Sequence, residues 1–523
     1  MSGVTDRLIA ALPTTQILRY PDHISSWLAR RERAFDVRLG DDRLWALCVG
    51  LTIAFQFALI FTHQPWLDEW QALLIAQESP TLTDMIANLR YEGHPPLWHL
   101  SLRALAVIIP IYWVLPVAAA IAALCTHAIL FLRMPFTRLQ RLLVATGYFM
   151  LFDYLTISRS LTLGVMGLVL FMAMRDRKIA WLWLALLPLC DFLFGVLSIA
   201  MIIVQWRDRR LWAPGMALWA VASAFAAWSV IPAPDILPAI KSDSWFWSYN
   251  EFFEHLAALL IPVQFNKGRF MWNGTWPLGL GHLGGIMFLV FAWKQVAGDW
   301  LQRSLLAGFV VLTFSFSMLV YPLQTRHLSL ITFLLILLKW REAERGNALR
   351  GSLRLWLAVS STCGIGIGLY NLVVPFDTGY LAAQEIVERG LANKQWLTLE
   401  DPPGPGLHAL TGMDFREVQN TCSESFIRWN HDVSINTTAQ LELYLRSEIR
   451  RHGRLYLLTS NEPNLPLSLV KPITHIPPGY DGQGYYLSMV GPGFPETGAQ
   501  PSWCVPRRRA LDQGTIWSAM ISR

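Results

Sequence analysis

The chain is poor in charge. Asp, Glu, Lys and Arg make up 15% of its 523 residues, where a soluble globular chain holds about 25%. With 53% hydrophobic residues gathered in long blocks, that shortage argues against an ordinary soluble enzyme. Cysteine is scarce as well. The six cysteines show no CxxC and no zinc-like spacing, which argues against a zinc module. Cys48, Cys125, Cys190 and Cys363 fall inside apolar runs and read as small core residues. Cys422 and Cys504 fall in the polar C-terminal part and are expected to pair in an oxidising compartment. Residues 1–43 are mixed polar with several Arg and lack the pattern of a cleavable signal peptide. No internal repeat or low-complexity tract stands out. The formal net charge of +6 sits in short loops beside apolar blocks, so it reads as a topology signal and not as a nucleic-acid patch.

What is present is a series of apolar runs near 44–62, 112–132, 141–157, 160–174, 179–205, 211–231, 281–297, 304–322, 327–340 and 353–374. A span needs about 20 apolar residues. The 179–205 block exceeds one span and holds Pro188 and Asp191 midway, so it is expected to form two helices. Arg and Lys cluster in six segments: Arg30 to Arg43, 133–141, 175–178, 207–210, Lys294 to Arg303, and 339–354. Placing all six in the cytoplasm closes the count only if 95–110 enters the membrane without crossing it. IIPIYWVLP at 108–116, with two prolines, fits such a broken segment. The expected fold is an all-α polytopic membrane protein of about eleven helices, with N-terminus inside and C-terminus outside. A cytoplasmic segment 1–43 precedes the transmembrane domain 44–374, whose outer loops are 63–111 and 232–280. Residues 375–523 read as a soluble α/β or α+β module outside the membrane. It has helical patterns near 380–392 and 437–452 and strand-like runs at 395–399, 454–459 and 485–490.

Charges at the outer face of such a domain are costly and mark function or pairing. Asp68 and Glu69 lie just past the end of the first run. Side by side, two acids can divide labour, one taking a proton and one orienting a partner or a cation; the alternative is a solvated pair capping the helix that follows. Glu92 and His94 stand before Pro95-Pro96, where they could ligate a divalent cation with Asp68 or share a proton with it, or simply form a loop. Asp153 and Arg159 lie in an otherwise apolar stretch, either as site residues or as an ion pair with each other. Arg326 and His327 begin a late run, where a guanidinium suits a phosphate and the alternative is interfacial snorkelling. Lys267 and Arg269 lie among Trp245, Trp247, Tyr249, Trp272 and Trp276, a cluster suited to stacking on sugars or to an interface belt. Both cations could add to a phosphate pocket.

In order and spacing, these motifs resemble the type C (GT-C) membrane glycosyltransferases. The shared features are an outer-loop Asp-Glu pair, an acid before a Pro-Pro re-entry, an acid-then-Arg segment and a late Arg-His. The nearest likeness is to the rhizobial lipopolysaccharide core galacturonosyltransferases. More distantly the chain is similar to the aminoarabinose transferase acting on lipid A and to protein mannosyltransferases. The resemblance covers roughly 44–340. It implies an inverting transfer from a polyprenyl-phosphate sugar to a cell-envelope acceptor (glycolipid, other glycan or protein) at the outer face of a bacterial inner membrane. It implies Asp68 as general base with Glu69 in support, and Glu92 binding a cation or the acceptor. Asp153 and Arg159 match the second-loop acid and Arg, and Arg326 and His327 would hold the donor phosphate. One departure stands out. The family commonly reads Arg-x-Tyr-x-Leu-Gly where this chain has Arg159-Ser160-Leu161-Thr162-Leu163-Gly164, so an aromatic is missing. Two other functions share some of these features: a ligase or polymerase of lipid-linked glycans, and a non-enzymatic lipid-linked sugar transporter. The first has no need of the early Asp-Glu pair, and the second is expected to show paired broken helices in repeated halves.

Overall fold

A computed structural model describes residues 30–236, 245–266, 269–399, 404–418, 422–429, 435 and 437–496. Helix dominates. The first long helix, α1 (Asp42–Thr62), starts where the Asp41 carboxylate accepts from the backbone N–H of Arg43 at 2.8 Å and Leu44 at 3.2 Å. Three short helices build the opening loop: α2 (Leu67–Glu78), α3 (Leu82–Glu92) and α4 (Leu97–Leu105). Pro95 and Pro96 separate α3 from α4, and α4 is nine residues long. At about 1.5 Å per residue that is far too short to cross a bilayer. The long helix α5 (Ile111–Arg133) follows, then α6 (Arg138–Ala145), a π turn at Phe149–Tyr154, α7 (Ser160–Met174), α8 (Ala180–Cys190), α9 (Phe192–Arg207) and α10 (Ala213–Ser229).

The stretch expected to be a long outer loop carries a helix, α11 (Trp245–Leu260), and a short hairpin of β1 (Phe265–Asn266) and β2 (Arg269–Phe270). Next come α12 (Leu278–Gln295), α13 (Trp300–Leu319), the single turn α14 (Thr325–Leu328), α15 (Leu330–Glu344) and α16 (Gly351–Asn371).

Four of the described helices are long and apolar enough to cross a membrane: α1, α5, α13 and α16. This corrects the expected count of about eleven. The apolar runs exist, but several do not form one continuous helix of spanning length. The 141–157 run breaks into α6 and the π turn. The 160–174 run forms a 15-residue helix, about 22 Å long by the helical rise. The 179–205 block does split in two, and Asp191 caps α9 by accepting from Leu193 N–H at 2.9 Å. Leu47 and Leu51 on α1, Leu124 and Leu132 on α5, Val311 and Leu319 on α13, and Leu369 on α16 are exposed. Rows of exposed large apolar side chains suit a lipid surface.

The C-terminal part holds a five-stranded mixed sheet in the order β4-β3-β5-β7-β6. Between the spans and the sheet lies α17 (Gly379–Glu388), and β3 (Trp396–Thr398), α18 (Gly404–Thr411), β4 (Phe415–Glu417) and α19 (Thr438–His452) precede β5 (Leu455–Thr459), β6 (Val470–Ile476) and β7 (Tyr485–Val490). β3 is parallel to both β4 and β5, while β7 is antiparallel to β5 and β6. Side chains alternate across the pleat. Leu397, Leu455 and Leu457 pack with Leu441, Leu445 and Ile449 of α19. Trp396, Tyr456 and Leu458 face the other way, into a core shared with Trp70 and Leu73 of α2 and Trp98 and Leu102 of α4. The sheet and the opening loop therefore bury one apolar face between them. Cys422 is disulfide-bonded; its expected partner, Cys504, lies outside the described residues.

Where α16 leads into the module, Asp377 is buried beside Asp481. Tyr485 Oη donates to the Asp377 carboxylate at 2.9 Å, and Asp481 N–H donates to Phe376 O at 2.9 Å. Burial raises both acids above the usual carboxylate range, and for Asp481 the Asp377 charge adds to the rise. His63 faces the pair and opposes the rise at Asp377. The native state thus holds protons the unfolded chain has lost. Its contribution to stability is complete below about pH 4, the unfolded carboxylate range, and is lost as pH climbs through the raised native values. Asp377→Asn should therefore gain thermal stability relative to the parent as pH rises from 5 to 8; a constant difference across that range rules the shared proton out.

Gly364 of α16 lies so close to Thr146 O and Tyr148 N that a Cβ there would meet backbone. Overpacking against backbone costs about 1–3 kcal/mol. Gly364→Val should lower the melting temperature of the detergent-solubilised protein by several degrees, and an unchanged melting temperature would refute that packing.

Candidate functional site

The two adjacent acids part company at the first turn of α2. Successive residues on a helix point about 100° apart, so one side chain turns inward and the other toward a pocket. Glu69 has no exposed surface. It accepts from Ser158 N–H at 2.6 Å and Trp66 N–H at 3.2 Å, and His63 Nε2 lies 2.7 Å from it. The helix cap is thus Trp66 with Glu69 as its reciprocal partner, and Asp68 does not serve as the cap. Glu69 ties the start of α2 to the segment just ahead of α7.

Asp68 keeps a quarter of its side chain exposed. Its Oδ2 lies 2.5 Å from Arg159 Nη1 and 3.3 Å from Arg326 Nη2. Arg159 is the residue before α7, and Arg326 stands on α14. The alternative of an ion pair between Asp153 and Arg159 is not seen: Arg159 pairs with Asp68. Asp153 sits on the π turn and accepts from Trp272 Nε1 at 2.8 Å, while its second oxygen has no partner among the described residues.

Indoles complete the wall. The Arg326 guanidinium lies 5.2 Å from the Trp66 ring centroid and 5.0 Å from that of Trp272, and Arg159 lies 5.7 Å from Trp66. The two indoles meet edge to face at 4.8 Å. Cations over indole faces gain most where water is excluded, and Arg326 is only 4% exposed. Its Nε and Nη1 have no hydrogen-bond partner among the described residues. Two buried guanidiniums thus face one carboxylate, with donors to spare.

His327 is oriented by its backbone: Gln324 N–H donates to His327 Nδ1 at 3.2 Å, leaving Nε2 as the edge that can meet a ligand. Arg326, Arg159 and His94 all act on its charge. The turn carrying both residues is four residues long, so any affinity for anions rests on side chains and not on a helix end. His94 Nδ1 is 3.0 Å from Glu92 O.

Glu92 points toward the module. Its Oε1 accepts from Gln71 Nε2 at 2.8 Å and Trp429 Nε1 at 3.1 Å. Burial pushes its carboxyl above the usual range, and the nearby Asp68 charge adds to this against the pull of His94. Among the described residues no group of three His, Cys, Asp or Glu is placed to hold a metal, so Asp68, Glu92 and His94 do not form a ligand set of their own. Lys267 lies outside the described residues. Arg269 is placed only by its backbone, paired with Asn266 in the hairpin.

Sequence reasoning missed four contributors. Trp66 stands two residues before Asp68, and Trp272 was visible only as one ring in a cluster. Gln71 lies three residues after Asp68, on the same face of α2, which was the available signal. Trp429 had none. Among known protein families and curated proteins, no family model and no curated protein matches the chain.

Gln71 also takes both backbone groups of Ile427. Its Nε2 donates to Ile427 O at 2.7 Å, and Ile427 N–H donates to its Oε1 at 2.9 Å. Gln71→Met, close in volume, would leave those groups buried and unmet. A cost of about 2 kcal/mol is expected, with faster amide hydrogen exchange across 422–429. Unchanged exchange there would show that Gln71 does not hold the module.

Proposed function

We propose that the chain is a membrane glycosyltransferase of the GT-C type, moving a sugar from a polyprenyl-phosphate donor to a cell-envelope acceptor. One observation carries this reading. A partly exposed carboxylate, Asp68, lies against two buried guanidiniums, and Arg326 keeps its Nε and Nη1 without a hydrogen-bond partner among the described residues. A base for a hydroxyl and a seat for a phosphate are thereby in contact, beside helices of membrane length.

In this reading Asp68 takes the proton of the acceptor hydroxyl as its oxygen attacks the anomeric carbon. The carbon–oxygen bond to the phosphate breaks on the opposite face, so the sugar inverts. The leaving phosphate carries away the electron pair, and Arg159, Arg326 and His327 offset the charge it gains. Asp153 acts through Trp272, which presses on Arg326. Glu69 keeps the first turn of α2 in place, and Glu92 joins the acceptor side to the module. Lys267 and Arg269 are further candidates for the donor phosphate, and a divalent cation beside Asp68 would need ligands from that phosphate as well. The acceptor is lipid A or its core, another envelope glycan or a protein. The module at 375–523 lies outside a bacterial inner membrane and either recognises the acceptor or covers the cavity.

Purified protein with a synthetic polyprenyl-phosphate sugar and envelope glycolipid tests the reading. Asp68→Asn should lower the transfer rate by about 10²–10⁴-fold, the usual worth of a general base. Full activity of that variant removes Asp68 as the base. Absence of transfer by the parent with every such donor and acceptor overturns the enzyme reading in favour of transport.

A further inference from the structure

We infer that the donor phosphate and Asp68 compete for the same two guanidiniums, so that donor binding is what frees the base. The inference rests on the transferase reading above and adds the control of that site. Asp68 Oδ2 is shared by Arg159 and Arg326. The oxygen that would take the proton is held by both guanidiniums and is not free to meet an acceptor hydroxyl. As drawn, the base is switched off.

The same geometry shows how it is switched on. Arg159 holds Asp68 closely, at 2.5 Å, and Arg326 only at 3.3 Å. Arg326 keeps two N–H groups unmet although it is almost fully buried. Trp66 and Trp272 press on its guanidinium, so it cannot leave to find water. Asp153, the other nearby acid, is engaged by Trp272 Nε1, Glu92 by Gln71 and Trp429, and Glu69 by Ser158 and Trp66. His94 and His327 add no negative charge. What stays open among the described residues is therefore the Nε and Nη1 of Arg326, and an incoming anion meets these donors first.

A phosphodiester offers two free oxygens, one for each guanidinium. It brings to the arginines the charge Asp68 had supplied, and Asp68, partly exposed, is released toward the acceptor side. The acceptor oxygen then bonds to the anomeric carbon and its proton passes to Asp68. The bond from that carbon to the phosphate oxygen breaks, and the phosphate keeps the pair. Asp68 passes its proton to water when the lipid phosphate leaves and returns to Arg159. Acceptor without donor meets a clamped base, and binding is ordered with donor first.

The test uses the full-length protein in nanodiscs, with undecaprenyl phosphate as probe. Exposed carboxylates are coupled to an amine by a water-soluble carbodiimide and mapped by mass spectrometry. Asp68 labelling should be low in the free protein and should rise several-fold when the lipid phosphate is added, the reverse of ordinary ligand protection. Asp68→Asn should bind the lipid phosphate about tenfold more tightly, because its competitor is gone. Binding with unchanged or reduced Asp68 labelling overturns the exchange and leaves the transferase reading standing. No binding of the lipid phosphate overturns both. Inorganic phosphate giving the same rise at the same concentration overturns the assignment to a lipid-linked phosphate.

Discussion

Two guanidiniums are buried against a single carboxylate, and much of the molecule serves to keep them there. Burying charge is expensive unless it is paired, and here Arg326 keeps two donors without a partner among the described residues. Indole rings make up part of the difference, since those of Trp66 and Trp272 lie side by side against Arg326. The scaffold supplies the rest by fixing positions. Arg159 is held where the π turn ends and α7 begins, Arg326 by the turn ahead of α15, and Asp68 by a helix start that Glu69 anchors. None of these segments is long, and each is tied down by backbone hydrogen bonds and not by helix length.

The C-terminal sheet is part of the same construction. Its α19 face is complete within the module. Its other face is completed by α2 and α4 of the opening loop, through Trp70, Leu73, Trp98 and Leu102. Polar contacts follow the same seam: Gln71 to Ile427, Glu92 to Trp429, Trp272 N–H to Tyr480 O. A module fastened to the loop that carries Asp68 is well placed to sense or shape what approaches that residue.

Some of this was legible in the sequence. Asp68, Arg159 and Arg326 announced themselves as charges in apolar surroundings, and the structure brings the three together. Their pairing was not legible, because it joins residues 258 positions apart. For Asp153 the sequence offered a site role or a pair with the nearby Arg159, whereas in space its partner is the Trp272 indole. The span count failed for another reason. Hydrophobicity marks where a chain is apolar, not how far a helix runs, and the π turn at Phe149–Tyr154 interrupts one run without any proline. In the module, β3, β5 and β7 stand where alternation and β-branched or aromatic residues put them. β4 is three residues long, and β6 carries Pro472 at a register irregularity on the sheet edge, so neither shows a clean period of two.

The bond between Gln71 and Ile427 has a consequence for how the protein is made. The two residues are 356 positions apart, and synthesis proceeds at about 5–20 residues per second from the N-terminus. Gln71 and its neighbours leave the ribosome tens of seconds before Ile427 exists. Throughout that interval α2 and α4 lack the sheet that covers Trp70 and Trp98, and Glu92 lacks Trp429. The first elements to emerge are among the last to be finished, and a chain truncated before residue 427 would possess every charged residue of the pocket without the wall that holds its acceptor side together.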